Sequence, residues 1–304
     1  MGSSRPAGRK GRSHDSSEKL WSCGSGRAPQ HSGSRRRPAS SAPPRGSGRG
    51  GPGGWYLRGD VGIGIQHFSD FNHNQLNPNF VWPASWEIQQ TKIGDTSFVG
   101  FGIGYAWNNW LRVDLTGEYR TKADLKVIGS YAGTADFCPP QGLGPSQMCF
   151  DNIQAEHSAW VTLANAYVDL GTWWCLTPFV GAGVGAARHQ FYGMTDTGFP
   201  FGFSALGFAS DNNTSKWTFA WALHAGVAYN VSNNVKIELA YRYLNFGSID
   251  TPNVDCTAFG CGNINGNPNA FYSMTRFDSQ DIKLGIRFLL CCEAPPPPPL
   301  IRKG

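Results

Sequence analysis

From Trp55 onward, apolar and polar residues alternate with a period of two, the signature of strands with one apolar face. In Leu57–Gln66 the odd positions are apolar or Gly and the even ones polar or Gly. Leu111–Arg120, Val235–Tyr243 and Asp281–Phe288 repeat the pattern, and Trp217–His224 has one large apolar face and one small or polar face. Segments near 96–107, 156–170 and 177–189 alternate less strictly over similar lengths. The pattern predicts eight strands.

The links between them are unequal. Asn108-Asn109, the residues after Leu170, and Ser232-Asn233-Asn234 are short links, with Asn and Gly where tight hairpins need left-handed backbone. The stretches near 69–95, 123–155, 190–215 and 249–277 are long. Short and long links alternate strictly, so every long loop emerges at one end and every tight turn at the other. Bacterial outer-membrane barrels have that asymmetry. The expected fold is all-β: an eight-stranded antiparallel up-and-down transmembrane β-barrel over 55–290, with four long extracellular loops and three short periplasmic turns.

Charge says which face meets which solvent. Arg58, Asp60, Arg112, Asp114, Glu118, Arg120, Lys236, Glu238, Arg242, Asp281, Lys283 and Arg287 fall on one side of the sheet. A soluble, lipocalin-like barrel would turn them outward; a membrane barrel turns them inward. The near balance of signs suits a packed ion-pair lumen. Trp55, Trp107, Trp110, Trp173, Trp174, Tyr229 and Phe288 gather beside the tight turns, where they would form an interfacial girdle. Strands of about ten residues match the tilted membrane-spanning length. The expected reading is charges in, apolar side chains out.

Composition narrows the class. The chain has 304 residues, of which 40 % are hydrophobic, 13 % aromatic and only 15 % charged. That composition excludes disorder over the full length, and no apolar run is long enough for a membrane helix. Residues 1–54 hold 11 of the 26 Lys and Arg but only 2 of the 21 acids, so the remainder is net acidic and the overall charge of +5 is no sign of nucleic-acid binding. Segment 1–54, rich in Ser, Gly, Arg and Pro, is expected to be disordered. It contains no apolar export segment, and the next Met is Met148, so a missing signal peptide replaced through a mis-called start is expected. Residues 291–304 form a Pro-rich periplasmic tail in this reading, with five Pro spanning about 15 Å.

The opening Gly54–Gly62, the inner Thr177–Gly185 and the closing Asp281–Phe288 together carry a resemblance. The chain resembles the small opacity-like, OmpA-transmembrane-like outer-membrane barrels of alphaproteobacteria over about 55–290. That resemblance implies a location in the bacterial outer membrane and insertion by the barrel assembly machinery, with the last strand as its signal. A terminal aromatic usually closes that signal, whereas Phe288 is followed by a tail.

Other chemistry is sparse. Eight Cys suit an oxidising compartment, and loop disulfides are expected between Cys138 and Cys149 and between Cys256 and Cys261. Each should stabilise by about 2–3 kcal/mol through the restricted unfolded loop. The pairing of Cys175, Cys291 and Cys292 is unreadable. No metal-ligand spacing is present, and no cofactor is expected. Gly181-x-Gly183-x-x-Ala186 fits the dinucleotide fingerprint only formally, since no helix or acid follows. Glu156-His157-Ser158 is reminiscent of lipid-A deacylases, but neighbours on a strand point to opposite faces, so His157 and Ser158 should not share a site. His67, His73, His189 and His224 read as scattered over loops and strand ends. Loop aromatics Phe68, Phe71, Phe80, Trp82, Trp86, Phe199, Phe201, Phe203 and Phe271 suit a contact surface.

The expected function is non-enzymatic: an envelope-structural outer-membrane protein making surface contacts through long loops. A narrow porin-like channel is the alternative, and a lipid-modifying enzyme the third reading. Expected partners are outer-membrane lipid and lipopolysaccharide, the assembly machinery, and peptidoglycan or an external ligand, without nucleic acid.

Overall fold

The structure, a computed structural model, describes residues 53–75, 84–132, 148–199, 205–209, 215–256 and 270–290. Segments 1–52 and 291–304, and most of each long link's tip, fall outside them. Twelve strand segments form one antiparallel sheet closed on itself: β1 (Gly54–His67), β2 (Asp70–Gln75), β3 (Glu87–Ile93), β4 (Thr96–Ala106), β5 (Leu111–Ala132), β6 (Met148–Asp169), β7 (Leu176–Phe199), β8 (Ala205–Ala209), β9 (Ser215–Asn230), β10 (Val235–Asp250), β11 (Val254–Cys256) and β12 (Ala270–Leu289).

They stack as two rings. In the lower ring the order is β1-β4-β5-β6-β7-β9-β10-β12, and β12 pairs back to β1 from Tyr56↔Leu289 to His67↔Asp278. The upper ring continues β5, β6, β7 and β12 upward, with β8 above β9, β11 above β10, and β2 and β3 above β1 and β4. Tight turns close the bottom. The Asn108 side chain accepts from the Trp110 and Leu111 amides at 2.9 and 2.8 Å, and the Val231 amide bonds the Val235 carbonyl at 3.0 Å.

The strands therefore run much further than the expected boundaries: much of what reads as long loop is strand. In the lower ring Leu57, Val61, Phe101, Leu115, Val184 and Leu284 face outward, and Phe101 is 72 % exposed. In the upper ring Leu125, Val127, Ile153, Met194, Ile249 and Tyr272 face inward and join one apolar core. The switch is made by β-bulges, in which one strand carries an extra residue and the faces downstream exchange. Thr121 and Lys122 sit against the single residue Ser158, between the pairs Arg120↔Ala159 and Ala123↔His157. Gly193, Gly247 and Arg276 mark three further irregularities with positive φ. Below each bulge and above it the apolar residues keep the same sequence parity; only the direction in which they point changes.

The core also corrects one expectation about the aromatics. Phe71 is 2 % exposed and stacks on Tyr272 at 4.9 Å between ring centroids, and Phe68 and Trp86 pack against the same cluster. These three belong to the interior rather than to a contact surface. Phe80, Trp82, Phe201 and Phe203 lie outside the described residues.

Candidate functional site: the lumen and its cap

The lower lumen is built by the inward-facing charges. Arg58 donates to Asp60 at 2.8 Å and to Asp114 at 2.7 Å, and lies 3.4 Å from Glu238. Arg287 and Arg112 approach the same Glu238 at 3.0 and 3.4 Å, and Lys283 lies 3.6 Å from Asp60. Higher up, Glu118 and Asp281 alternate with Arg120 and Arg242 in a four-membered ring of contacts between 2.6 and 3.1 Å. Eleven of the twelve expected lumen charges are buried in these two networks; Lys236, at the turn end, is half-buried. Guanidinium groups also lie over rings: Arg112 is 4.0 Å from the Tyr167 centroid, and Phe98 sits between Arg120 and Arg242 at 5.1 and 4.9 Å.

Several members carry no signal in the alternation alone. Asp169 accepts from Arg112 at 3.1 Å, Asn165 donates to Asp114 at 2.8 Å, and Tyr56 bonds Asp114 at 3.1 Å. Inward glycines make room for these groups. A Cβ on Gly64 would stand 2.1 Å from both the Arg120 guanidinium and the Asp281 carboxylate. A Cβ on Gly181 would stand 2.4 Å from the Tyr167 ring, which explains the glycines of the false fingerprint.

His157 and His189 occupy the boundary between the two halves, and His224 lies lower in the lumen, 3.1 Å from Asn165. His189 and His224 lie in the barrel interior rather than on loops or strand ends. His157 and His189 stack with a 2.9 Å nitrogen–nitrogen contact, and His189 bonds Thr218 at 3.1 Å. His157 and Ser158 are both buried, and Ser158 stands opposite the bulge of β5. Glu156 points outward to Lys122 at 2.7 Å, away from His157.

Outside, the expected girdle residues Trp55, Trp107, Trp110, Trp173, Trp174, Tyr229 and Phe288 are exposed around the tight turns, Trp174 at 94 %. A second belt, absent from the sequence reading, holds Trp160, Trp217 and Phe219 near the bulges, with Tyr119 against Trp160 at 4.9 Å. From Trp55 to Ile65, ten steps of about 3.3 Å tilted by about 40° rise roughly 25 Å, the height of an outer-membrane apolar band.

The sequence profile of the outer membrane protein beta-barrel domain matches residues 39–263. The chain belongs to that family. The outward apolar band of this outer-membrane barrel is thus its lipid face, and the ring of bulges marks where the outside turns from lipid to water. An uncharacterised protein of Brucella melitensis is 34 % identical over 203 residues, covering 63 % of this chain and 67 % of its own. A Rickettsia prowazekii protein provisionally named an adhesin is 28 % identical over 238 residues, covering 77 % of this chain and 86 % of its own. Among solved structures, the outer membrane protein OprG from Pseudomonas aeruginosa aligns with a TM-score of 0.42 at 11 % identity, covering 79 % of this chain and 97 % of that one.

Above the lipid, the cap of this outer-membrane barrel buries its own acids. Burial and a hydrogen bond with Asp196 push the Asp151 carboxyl well above the ordinary carboxylate range. Asp196 also accepts from the Tyr272 hydroxyl, whose pKa burial and the two carboxylates raise. On the surface, the Thr275 hydroxyl and then Arg276 hold Asp70 below its usual value. Cys149 and Cys175 are each disulfide-bonded. The expected pairings involve Cys138 and Cys261, which lie outside the described residues.

Proposed function

We propose that this chain is a non-enzymatic surface-contact protein of the outer membrane, whose lower ring is an anchor and whose cap meets external surfaces. The observation that carries this reading is the filled interior: paired charges cross the lower lumen and an apolar core closes the upper one. Eight staves leave room only for side chains, and here those side chains bond one another. The chemistry available to a partner is therefore on the outside. The provisional adhesin name of the Rickettsia relative supports the same reading. Lipid and lipopolysaccharide would surround the band, the assembly machinery would recognise the last strand, and residues 291–304 would reach toward peptidoglycan.

The test is attachment. A laboratory bacterium without adhesins of its own, displaying the full chain, is expected to adhere to cultured cells several-fold more than the empty strain. Shortening 133–147 and 257–269 should abolish the gain while the barrel still inserts. Equal adhesion with and without the chain would refute the reading.

A further inference from the structure

On the outside of the barrel, Tyr119, Trp160, Arg188 and Trp217 stand opposite one another in register, one on each of the neighbouring strands β5, β6, β7 and β9. The chain neighbours of Arg188, Ala187 and His189, are fully buried, while its partners Trp160 and Trp217 are exposed, so Arg188 points outward in the middle of the second aromatic belt. Its Nη2 donates to the Ser215 hydroxyl at 3.2 Å, its Nε is buried without a hydrogen-bond partner, and no carboxylate among the described residues pairs with it. A cation on a lipid face is costly in hydrocarbon and settles where its head reaches the level of the lipid headgroups.

Below this row the wall is a trough. Gly117, Thr162 and Ala186 lie in register between the exposed rings of Phe101 and Phe219, and a Cβ on Gly117 would meet nothing within 4 Å. Above the row the wall is polar. Lys122 bonds Glu156 at 2.7 Å, and its ammonium lies 4.3 Å from the centroid of the Tyr192 ring. Beside them an open recess of about 250 Å³ is lined by Asp124 and Lys126 of β5, Gln154 and Glu156 of β6, and Tyr192 and Thr195 of β7. The β7 bulge keeps the recess open, because the exposed Gly193 has nothing within 4 Å of its Cβ position.

Trough, arginine and polar recess follow one another in the order of acyl chain, phosphate and sugar. We propose that this wall of β5, β6, β7 and β9 is a binding site for a phosphorylated glycolipid of the outer leaflet. An acyl chain lies between Phe101 and Phe219. The Arg188 guanidinium, with Lys122 above it, receives the phosphate, whose paired oxygens match the guanidinium fork. A sugar ring lies against Tyr192, and its hydroxyls meet the Asp124 and Glu156 carboxylates and the Gln154 amide. A phospholipid would fill the trough and meet Arg188 but leave the recess unused, which is why the occupant is the glycolipid. The inference rests on the reading that lipopolysaccharide surrounds the band, and it makes that contact a specific one.

Native mass spectrometry of the full chain in detergent tests it. The probes are bisphosphorylated lipid A, the same lipid stripped of both phosphates, and phosphatidylglycerol. Lipid A is expected to bind at least tenfold more tightly than either of the others. Arg188→Gln should remove that preference, and Arg188→Lys should keep most of it. Tyr192→Ala should weaken lipid A binding and leave phosphatidylglycerol unchanged. Arg276→Gln, which removes an exposed cation on β12, should change nothing. The heat-modifiable gel band reports folding in each variant; where Arg188→Gln fails to fold, Tyr192→Ala carries the test. Equal binding of lipid A by the unaltered chain and by folded Arg188→Gln or Tyr192→Ala overturns the site. Equal affinity for lipid A and phosphatidylglycerol overturns the glycolipid and leaves a phosphate contact, and binding that survives dephosphorylation overturns the role of Arg188. Cell attachment by a chain that fails this test removes the glycolipid site alone; a filled site without cell attachment removes only the contact role.

Discussion

Deleting Thr121 and Lys122 together removes both residues of β5 that stand opposite Ser158. Ala123 then falls opposite Ser158, and residues 123–132 rotate by one position against β6. Leu125 and Val127, both fully buried, turn outward into water, and the exposed Asp124 and Lys126 turn into the apolar core. Exposing two such aliphatic side chains costs about 3–6 kcal/mol, and each ion forced inward without a partner costs several kcal/mol more. The cap has no comparable reserve, so its β5–β6 ladder is expected to melt while the lipid-embedded ring holds. Deleting Lys122 alone is the control: it loses the exposed contact with Glu156 but turns the bulge into a regular ladder, with Thr121 opposite Ser158 and Ala123 still opposite His157, so both faces keep their direction. Hydrogen exchange of 123–132 and 148–157 should rise by orders of magnitude in the double deletion and far less in the control. Heat modifiability on a gel, which reports the lower ring, should persist in both. Unchanged protection of Leu125 and Val127 in the double deletion would refute the claim that the residue count at this bulge sets the two faces.

Glu118→Ala strips Arg120 and Arg242 of a shared partner at 3.1 and 2.8 Å, and the uncompensated buried charge should cost about 3–5 kcal/mol in urea unfolding followed by tryptophan fluorescence. Gly64→Ala drives a methyl group into the Arg120–Asp281 contact and should destabilise measurably in the same assay, while Gly117→Ala, with nothing within 4 Å of its Cβ position, should not. The folded cap keeps a proton on Asp151 that the unfolded chain releases above about pH 4, so cap stability should fall as pH rises from there through the raised value. Asp151→Asn, which retains a donor toward Asp196, should flatten that slope in a pH series of thermal unfolding; an unchanged slope would show that another group titrates.

Much of the lower ring is legible in the alternation. Period-two runs at 57–66, 111–120, 235–243 and 281–288 place the staves, and the twelve charges on their inner faces lie in the lumen because lipid admits no others. The cap is illegible for the same physical reason. Along β5 the odd positions from Leu111 to Val127 are apolar or Gly save Thr121, and that single polar residue at the bulge is too slight a break to mark the level at which out becomes in. Only the geometry of the extra residue does so. Gly193 and Gly247 offer the weak signal of an isolated strand glycine, whereas Arg276 adopts positive φ with no signal at all. The His157–His189 contact joins diagonal neighbours on adjacent strands, and periodicity along either strand does not give that register. Asp169 and Asn165 enter the ion network from a strand where Ala and Val blur the alternation.

Single-channel recording in planar bilayers tests the closed interior most directly. Purified full-length chain is expected to insert and leave the baseline flat at voltages that hold a porin open. Large, stable conductance steps, altered in size by Arg112→Ala, would mean that ions pass between the guanidinium and carboxylate groups, and the plugged barrel with its outward-acting cap would be wrong.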